Sequence, residues 1–193
     1  SVFKKVKENA ICFENFINLS TNSSEEKILQ EISFGESTHQ EFKETLSLDV
    51  NRSKNDKNYH PKKEQDIEKN VLEFVAGTLN LGKEGTIYIG VKDDGSINGI
   101  ENEIHLFHSN SEDRFVRHLI SIIDSRIGET FDFIEYKFST LKEKRILQIF
   151  INSSGSKEIF YLDGKDCCYR KGPSTIILSG PDLTKFITDK KSS

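Results

Sequence analysis

An α+β domain is what this sequence predicts, and three observations predict it. Residues Glu64 to Asn80 place apolar side chains at Ile67, Val71, Leu72, Phe74, Val75 and Leu79, the one-face stripe of a helix packed on a core. Thr86 to Val91 is a β-branched and aromatic run, and Asp93-Asp94-Gly95-Ser96 turns it into Ile97 to Ile100 as a hairpin. Phe131 to Phe138 and Arg145 to Ile151 are two further strands joined through a Leu141 to Lys144 turn. Strands and helices therefore alternate irregularly, which predicts a mixed or antiparallel sheet packed with two main helices.

The remaining elements follow in chain order. Residues 1–33 are an appendage: a polar Asn/Ser/Thr stretch from Asn18 to Ser24 precedes a short amphipathic run over Ser24 to Ile32. Glu41 to Leu48 alternates Phe42, Leu46 and Leu48 with polar neighbours, as a half-buried strand does. Asp49 to Pro61 is charged, Asn-rich and aperiodic, the composition of a mobile loop. His105 and His108 fall in an irregular segment, and the second main helix covers Glu112 to Ile127 through Phe115, Leu119, Ile122 and Ile123. A strand around Cys167 to Arg170 and a short helix opened by Pro181 and Asp182 complete the domain, which spans 34–188 and leaves 189–193 as a tail.

Size and composition bound the function. A chain of 193 residues buries one core and leaves no room for a second catalytic domain, so one site at most is expected. It contains no Met, as a piece of a longer reading frame would. Cys12, Cys167 and Cys168 cannot form a disulfide framework, which points to a reducing, cytoplasmic home. No run approaches the roughly 18 apolar residues of a membrane span. The net charge of −4 argues against a general phosphate binder, yet Lys54, Lys57, Lys62 and Lys63, and again Lys165, Arg170 and Lys171, are local basic clusters.

Two motifs carry candidate chemistry. Gly77-Thr78-Leu79-Asn80-Leu81-Gly82-Lys83 has the glycine and lysine spacing of a phosphate-binding loop, but Glu84 stands where a hydroxyl should meet magnesium. The loop also follows a helix and precedes a strand, the reverse of the required order, so no ATP is expected. Glu36-Ser37-Thr38-His39-Gln40-Glu41-Phe42-Lys43 places two carboxylates five apart at the entrance to a strand, where Glu41 and Lys43 share a face. A third carboxylate from Asp93, with Asp94 as the fallback, would complete an oxygen-only cluster suited to Mg²⁺ or Mn²⁺. On spacing alone, a surface ion pair and an ordinary Asp turn account for the same residues. His39, between the two glutamates, could contact phosphate.

The segment Glu36 to Lys43 closely resembles the E-S-T-x-x-E-F-K signature of the Schlafen family. Val71 to Ala76, Gly85 to Gly95, Gly99-Ile100 and Tyr169-Arg170-Lys171-Gly172-Pro173-Ser174-Thr175 resemble the successive blocks of that family's AlbA-like domain, in order across roughly residues 31–188. The resemblance implies an AlbA-like lobe. It further implies a metal-dependent endoribonuclease centre on Glu36, Glu41 and Asp93 that cuts tRNA or other structured or small RNA. Lys43, His39, Arg170 and Lys171 would then contact the RNA. Family zinc sites combine a His-x-Cys pair with Cys-Cys; only Cys167-Cys168 is present, so no zinc is expected and the pair is read as buried strand cysteines. A single lobe implies a homodimer or pairing with another Schlafen-like subunit. The alternative function is a non-catalytic nucleic-acid-binding or pairing module.

Overall fold

A computed structural model describes residues 24–192 and divides the chain at Phe34, into Ser1–Phe34 and Gly35–Ser193. In the first unit the described residues form helix α1 (24–33), where the amphipathic run lies. Cys12 and the polar stretch ahead of Ser24 lie outside the described residues.

The second unit is built on a four-stranded sheet of order β1-β2-β4-β3, comprising β1 (Gln40–Lys43), β2 (Glu84–Ile89), β4 (Lys144–Asn152) and β3 (Ile134–Leu141). β1 runs parallel to β2 with Glu41 opposite Ile87 and Lys43 opposite Ile89; the other two pairings are antiparallel. The β3–β4 hairpin closes through Lys142 and Glu143, both with positive φ of 48° and 62°, the twist a two-residue hairpin loop requires. The expected α+β class and mixed sheet are present.

Helix α3 (Gln65–Leu81) carries the apolar stripe into the core, burying Val71, Leu72, Phe74, Val75 and Leu79 together with Ile87, Ile89, Leu147 and Ile149 of the sheet. It stops at Gly82, whose φ of 70° is the left-handed turn that lets the chain leave a helix. Helix α5 (Glu112–Arg126) starts at Ser111, whose hydroxyl accepts from the Arg114 N–H, and adds Phe115, Leu119 and Ile123 to the same core. A separate ribbon of β5 (Cys167–Lys171) and β6 (Ser174–Leu178) packs on α3, and α6 (Gly180–Ser192) follows it. Residues 189–192, expected as tail, continue that helix.

Ile97 to Ile100, expected as the second strand of a hairpin, contributes only the isolated Val91–Ile97 bridge, and three further expectations change for physical reasons. The strand expected over Glu41 to Leu48 ends at Lys43, because the backbone N–H groups of Leu46 and Ser47 donate to the buried carboxylate of Glu103 at 2.9 and 2.6 Å instead of to a neighbouring strand. The expected loop after Asp49 contains a short helix, α2 (Val50–Asn55), capped by the Asp49 side chain accepting from the Arg52 N–H at 2.9 Å. The segment expected to be irregular around His105 and His108 is helix α4 (Glu101–His108). Its inward positions hold Glu103 and His108 beside Ile104, while Leu106 faces outward, so its hydrophobic periodicity is hidden.

Candidate nucleic-acid interface

The signature Glu36 to Lys43 wraps the start of β1. Glu36 lies in the turn ahead of the strand, and its carboxylate accepts from the Phe42 N–H at 3.0 Å, while the Ser37 N–H donates to the Gln40 carbonyl at 2.9 Å. Glu41 and Lys43 share the face expected of them, and Lys43 Nζ donates to Glu41 Oε1 and to the Phe42 carbonyl. The second Glu41 oxygen meets a cation from the far end of the chain: Arg170 Nη2 stands 3.1 Å from Glu41 Oε2.

Arg170 is expected from sequence to grip a phosphate, and the structure corrects this. Its side chain is 2% exposed, lying 4.4 Å above the Phe74 ring on α3. Its guanidinium donates to the Ser37 carbonyl at 2.7 Å and the Thr175 hydroxyl at 3.0 Å. Burial lowers its pKa, opposed by Glu41 and then Glu36. Arg170 is thus an internal clamp between the signature turn and the Tyr-Arg-x-Gly strand, the buried cation that joins Lys43 in compensating Glu41. In the sequence Phe74 belongs to the apolar stripe of α3, and nothing in the local pattern marks its ring as the seat of a cation.

Gly77, the first glycine of the phosphate-loop lookalike, serves this clamp. A Cβ there would come 3.3 Å from Thr175 Cγ2 and 3.4 Å from Arg170 Cγ, so the bare position lets β5 and β6 approach α3. Gly82 is the helix stop already described, which accounts for both glycines without a nucleotide.

The other expected residues are placed differently. Asp93 and Asp94 are exposed in the turn bounded by the Val91–Ile97 bridge. Asp94 accepts from the backbone N–H and hydroxyl of Ser96, which lower its pKa, so the fallback ligand is a turn former. His39 is exposed, with Nδ1 2.7 Å from the Glu84 carbonyl; Nδ1 must donate to that oxygen, so Nε2 is an acceptor in the neutral ring and a donor to phosphate only in the imidazolium. Lys171 is exposed next to the clamp. Cys167 and Cys168 are buried free thiols of β5, and burial pushes Cys168 up to about 12.

The donor set does not fit a divalent cation as it stands. Among the described residues no three His, Cys, Asp or Glu side chains lie together so as to hold a metal ion. Lys43 and Arg170 occupy the two oxygens of Glu41, and one Glu36 oxygen is spent on a backbone N–H.

An α+β lobe of helices on a mixed sheet is consistent with an AlbA-like domain. The chain belongs to the family described as Schlafen, AlbA_2, whose model matches residues 36–179, and that membership connects it with nucleic-acid-related function. Among solved structures it is similar to the DIP2311 protein from Corynebacterium diphtheriae, at 18% identity and a TM-score of 0.49 over 73% of this chain and 25% of that one. The chain therefore spans about a quarter of that protein's length. No curated protein matches it. Among the described residues no helix is long and apolar enough to cross a membrane.

Proposed function

We propose that this domain binds nucleic acid, RNA in the first instance, as a non-catalytic module in the arrangement described. The observation that carries the reading is the neutralisation of Glu41 by Lys43 and Arg170. The signature acid then presents no unmatched charge to a phosphate backbone, while Lys171, Lys83 and His39 are exposed on neighbouring segments to meet one. An electrostatic footprint of two or three such contacts predicts modest affinity with a clear salt dependence. A single lobe offers a small footprint, so pairing with a second copy or a Schlafen-like partner would enlarge it.

The second reading is a metal-dependent endoribonuclease centred on Glu36, Glu41 and Asp93 with Mg²⁺ or Mn²⁺. It draws on the family membership and on the placement of Glu36 and Glu41 together at the start of β1. It requires Glu41 to exchange its two cations for a metal and Asp93 to join it.

One experiment separates the readings. Labelled tRNA, single-stranded RNA and DNA are titrated by anisotropy at two salt concentrations, and the same RNAs are incubated with Mn²⁺ or Mg²⁺ and the wild type or Glu41→Ala. Binding that weakens with salt and with Lys83→Ala/Lys171→Ala, without cutting, is the expected result. Metal-dependent cutting lost in Glu41→Ala establishes the nuclease, and no binding to any nucleic acid refutes both readings.

A further inference from the structure

A second feature lies away from the signature, where α3 ends. Two aromatic rings from different elements, Tyr169 of β5 and Phe186 of α6, meet edge to face at 5.5 Å between centroids and 67°. Both are only partly buried and neither belongs to the main apolar core. They wall a recess of about 390 Å³, whose opposite side is formed by Gly82 and by Gly155, Ser156 and Lys157 of the loop after β4. Lys190 holds α6 against this recess. Its Nζ donates to the Leu79 and Asn80 carbonyls at 3.3 and 2.9 Å, closing the end of α3 with a cation, and lies 5.6 Å from the Phe186 ring centre.

The loop wall is equally built. The Ser153 hydroxyl donates to the Leu79 carbonyl at 2.9 Å, the Ser156 N–H to the Ser153 carbonyl at 3.0 Å, and the Glu158 N–H to the Ser156 hydroxyl at 3.2 Å. Lys157 is carried exposed at its tip. A second recess of about 470 Å³ is lined by His39, Lys83, Glu84, Gly85, Thr86 and Ser154, and in the chain Lys83 and Ser154 neighbour Gly82 and Gly155 of the first. The first recess holds the aromatic rings and Lys157, and the second holds Lys83 and His39 beside the Glu84 carboxylate. Asp189 lines the aromatic end, where its charge disfavours a phosphate and leaves that end to an uncharged planar group.

We infer that these two recesses together take a single strand, with an unpaired base on the Tyr169–Phe186 pair and the adjoining phosphates along Lys157 and Lys83. The chemistry is that of single-strand binding generally: any base has a face to stack, and a basic groove follows the backbone. The edges of a base inside a duplex are paired and its faces stacked, so a duplex cannot enter. This inference rests on the nucleic-acid reading above and adds the strandedness of the ligand and its seat.

The test uses the full chain and a labelled 12-nucleotide strand, RNA and DNA, alone or annealed to its complement. The wild type binds the single strand more tightly than the duplex. Tyr169→Ala and Phe186→Ala each weaken single-strand binding about tenfold, the scale of one lost stacking contact, and leave duplex binding unchanged. Because Phe186→Ala removes a wall and can loosen α6, Ser156→Trp fills the recess with both rings in place and gives the same loss. Single-strand affinity unchanged in Ser156→Trp and Tyr169→Ala overturns this inference while leaving the general binding reading standing. So does a free mononucleotide that binds with the same sensitivity to the variants when the 12-mer does not compete with it. A wild type that binds neither strand form removes the parent reading as well.

Discussion

Replacing Glu41 by Gln tests whether cations or neighbouring carboxylates surround Glu41 in the metal-free protein, because the two arrangements predict stability changes of opposite sign. In the structure the Glu41 carboxylate is 12% exposed and lies 3.1 Å from an Arg170 guanidinium that is 2% exposed. At an effective dielectric of about 20, that separation corresponds to roughly 5 kcal/mol of attraction before desolvation is subtracted. Removing one partner of a buried pair typically costs about 3–5 kcal/mol. Arg170 keeps its bonds to Ser37 and Thr175 and its seat on Phe74, so Glu41→Gln is expected to cost about 2–4 kcal/mol, or roughly 5–15 °C in Tm for a domain of this size. Urea denaturation of wild type, Glu41→Gln, Arg170→Met and the double variant gives the coupling, expected at about 2 kcal/mol or more. If carboxylates instead gathered around Glu41 to await a cation, Glu41→Gln would relieve repulsion and stabilise the metal-free protein. A higher Tm in Glu41→Gln, or a Mn²⁺-induced rise in the wild type that this variant lacks, would refute the clamp.

Two buried groups under the loop after β1 titrate in opposite senses. Burial raises Glu103 from 4.5 to about 7 against the N–H groups of Leu46 and Ser47. The folded chain therefore holds a proton that the unfolded chain has released, and this contribution is lost as pH rises from about 4.5 to 7. Burial, then Lys63 and His118, lower His108 from 6.5 to about 4, so its contribution is lost as pH falls across that window. His108→Phe should uncover a stability that declines towards neutral pH and Glu103→Gln one that declines towards acid. Each effect is on the order of 1–3 kcal/mol, read from urea midpoints at stepped pH. At Gly85 an added Cβ would come 2.7 Å from Thr78 Cγ2. Gly85→Ala should cost about 1–3 kcal/mol, and Thr78→Ser, which removes that methyl, should recover much of the loss in a thermal melt. Lys157→Ala should leave the fold unchanged and lower the slope of log affinity against log salt for the single strand by about one contact.

What the sequence made legible was whatever obeyed a period. The stripe of α3, the β-branched β2 and the β3–β4 hairpin stand within a few residues of expectation, because apolar positions and turn residues dictate them locally. Elements whose inward positions are polar did not show. The inward side of α4 is Glu103 and His108, and the chain leaves β1 early to satisfy a carboxylate located 57 residues away in sequence. The signature acids were legible as a motif but their partner was not. Nothing near Glu41 announces that a cation from β5 will reach it across the Phe74 ring, or that Gly77 is bare to let that strand approach.

The turn that carries Glu36 also has a consequence for assembly. Along β1 the outward-facing backbone groups include the Gln40 carbonyl and the N–H and carbonyl of Phe42, since His39 and Lys43 direct their carbonyls towards β2. The first is taken by the Ser37 N–H, the second by the Glu36 carboxylate and the third by Lys43 Nζ. This border of the sheet is therefore closed to strand addition, and lobes that associate by extending the four-stranded sheet must join through β3; the β5-β6 ribbon offers a second route along β6, where Ile176 and Ile177 lie exposed. A chain cut back to begin at Gln40 would lose the first two stoppers, leaving β1 open as a template for aggregation.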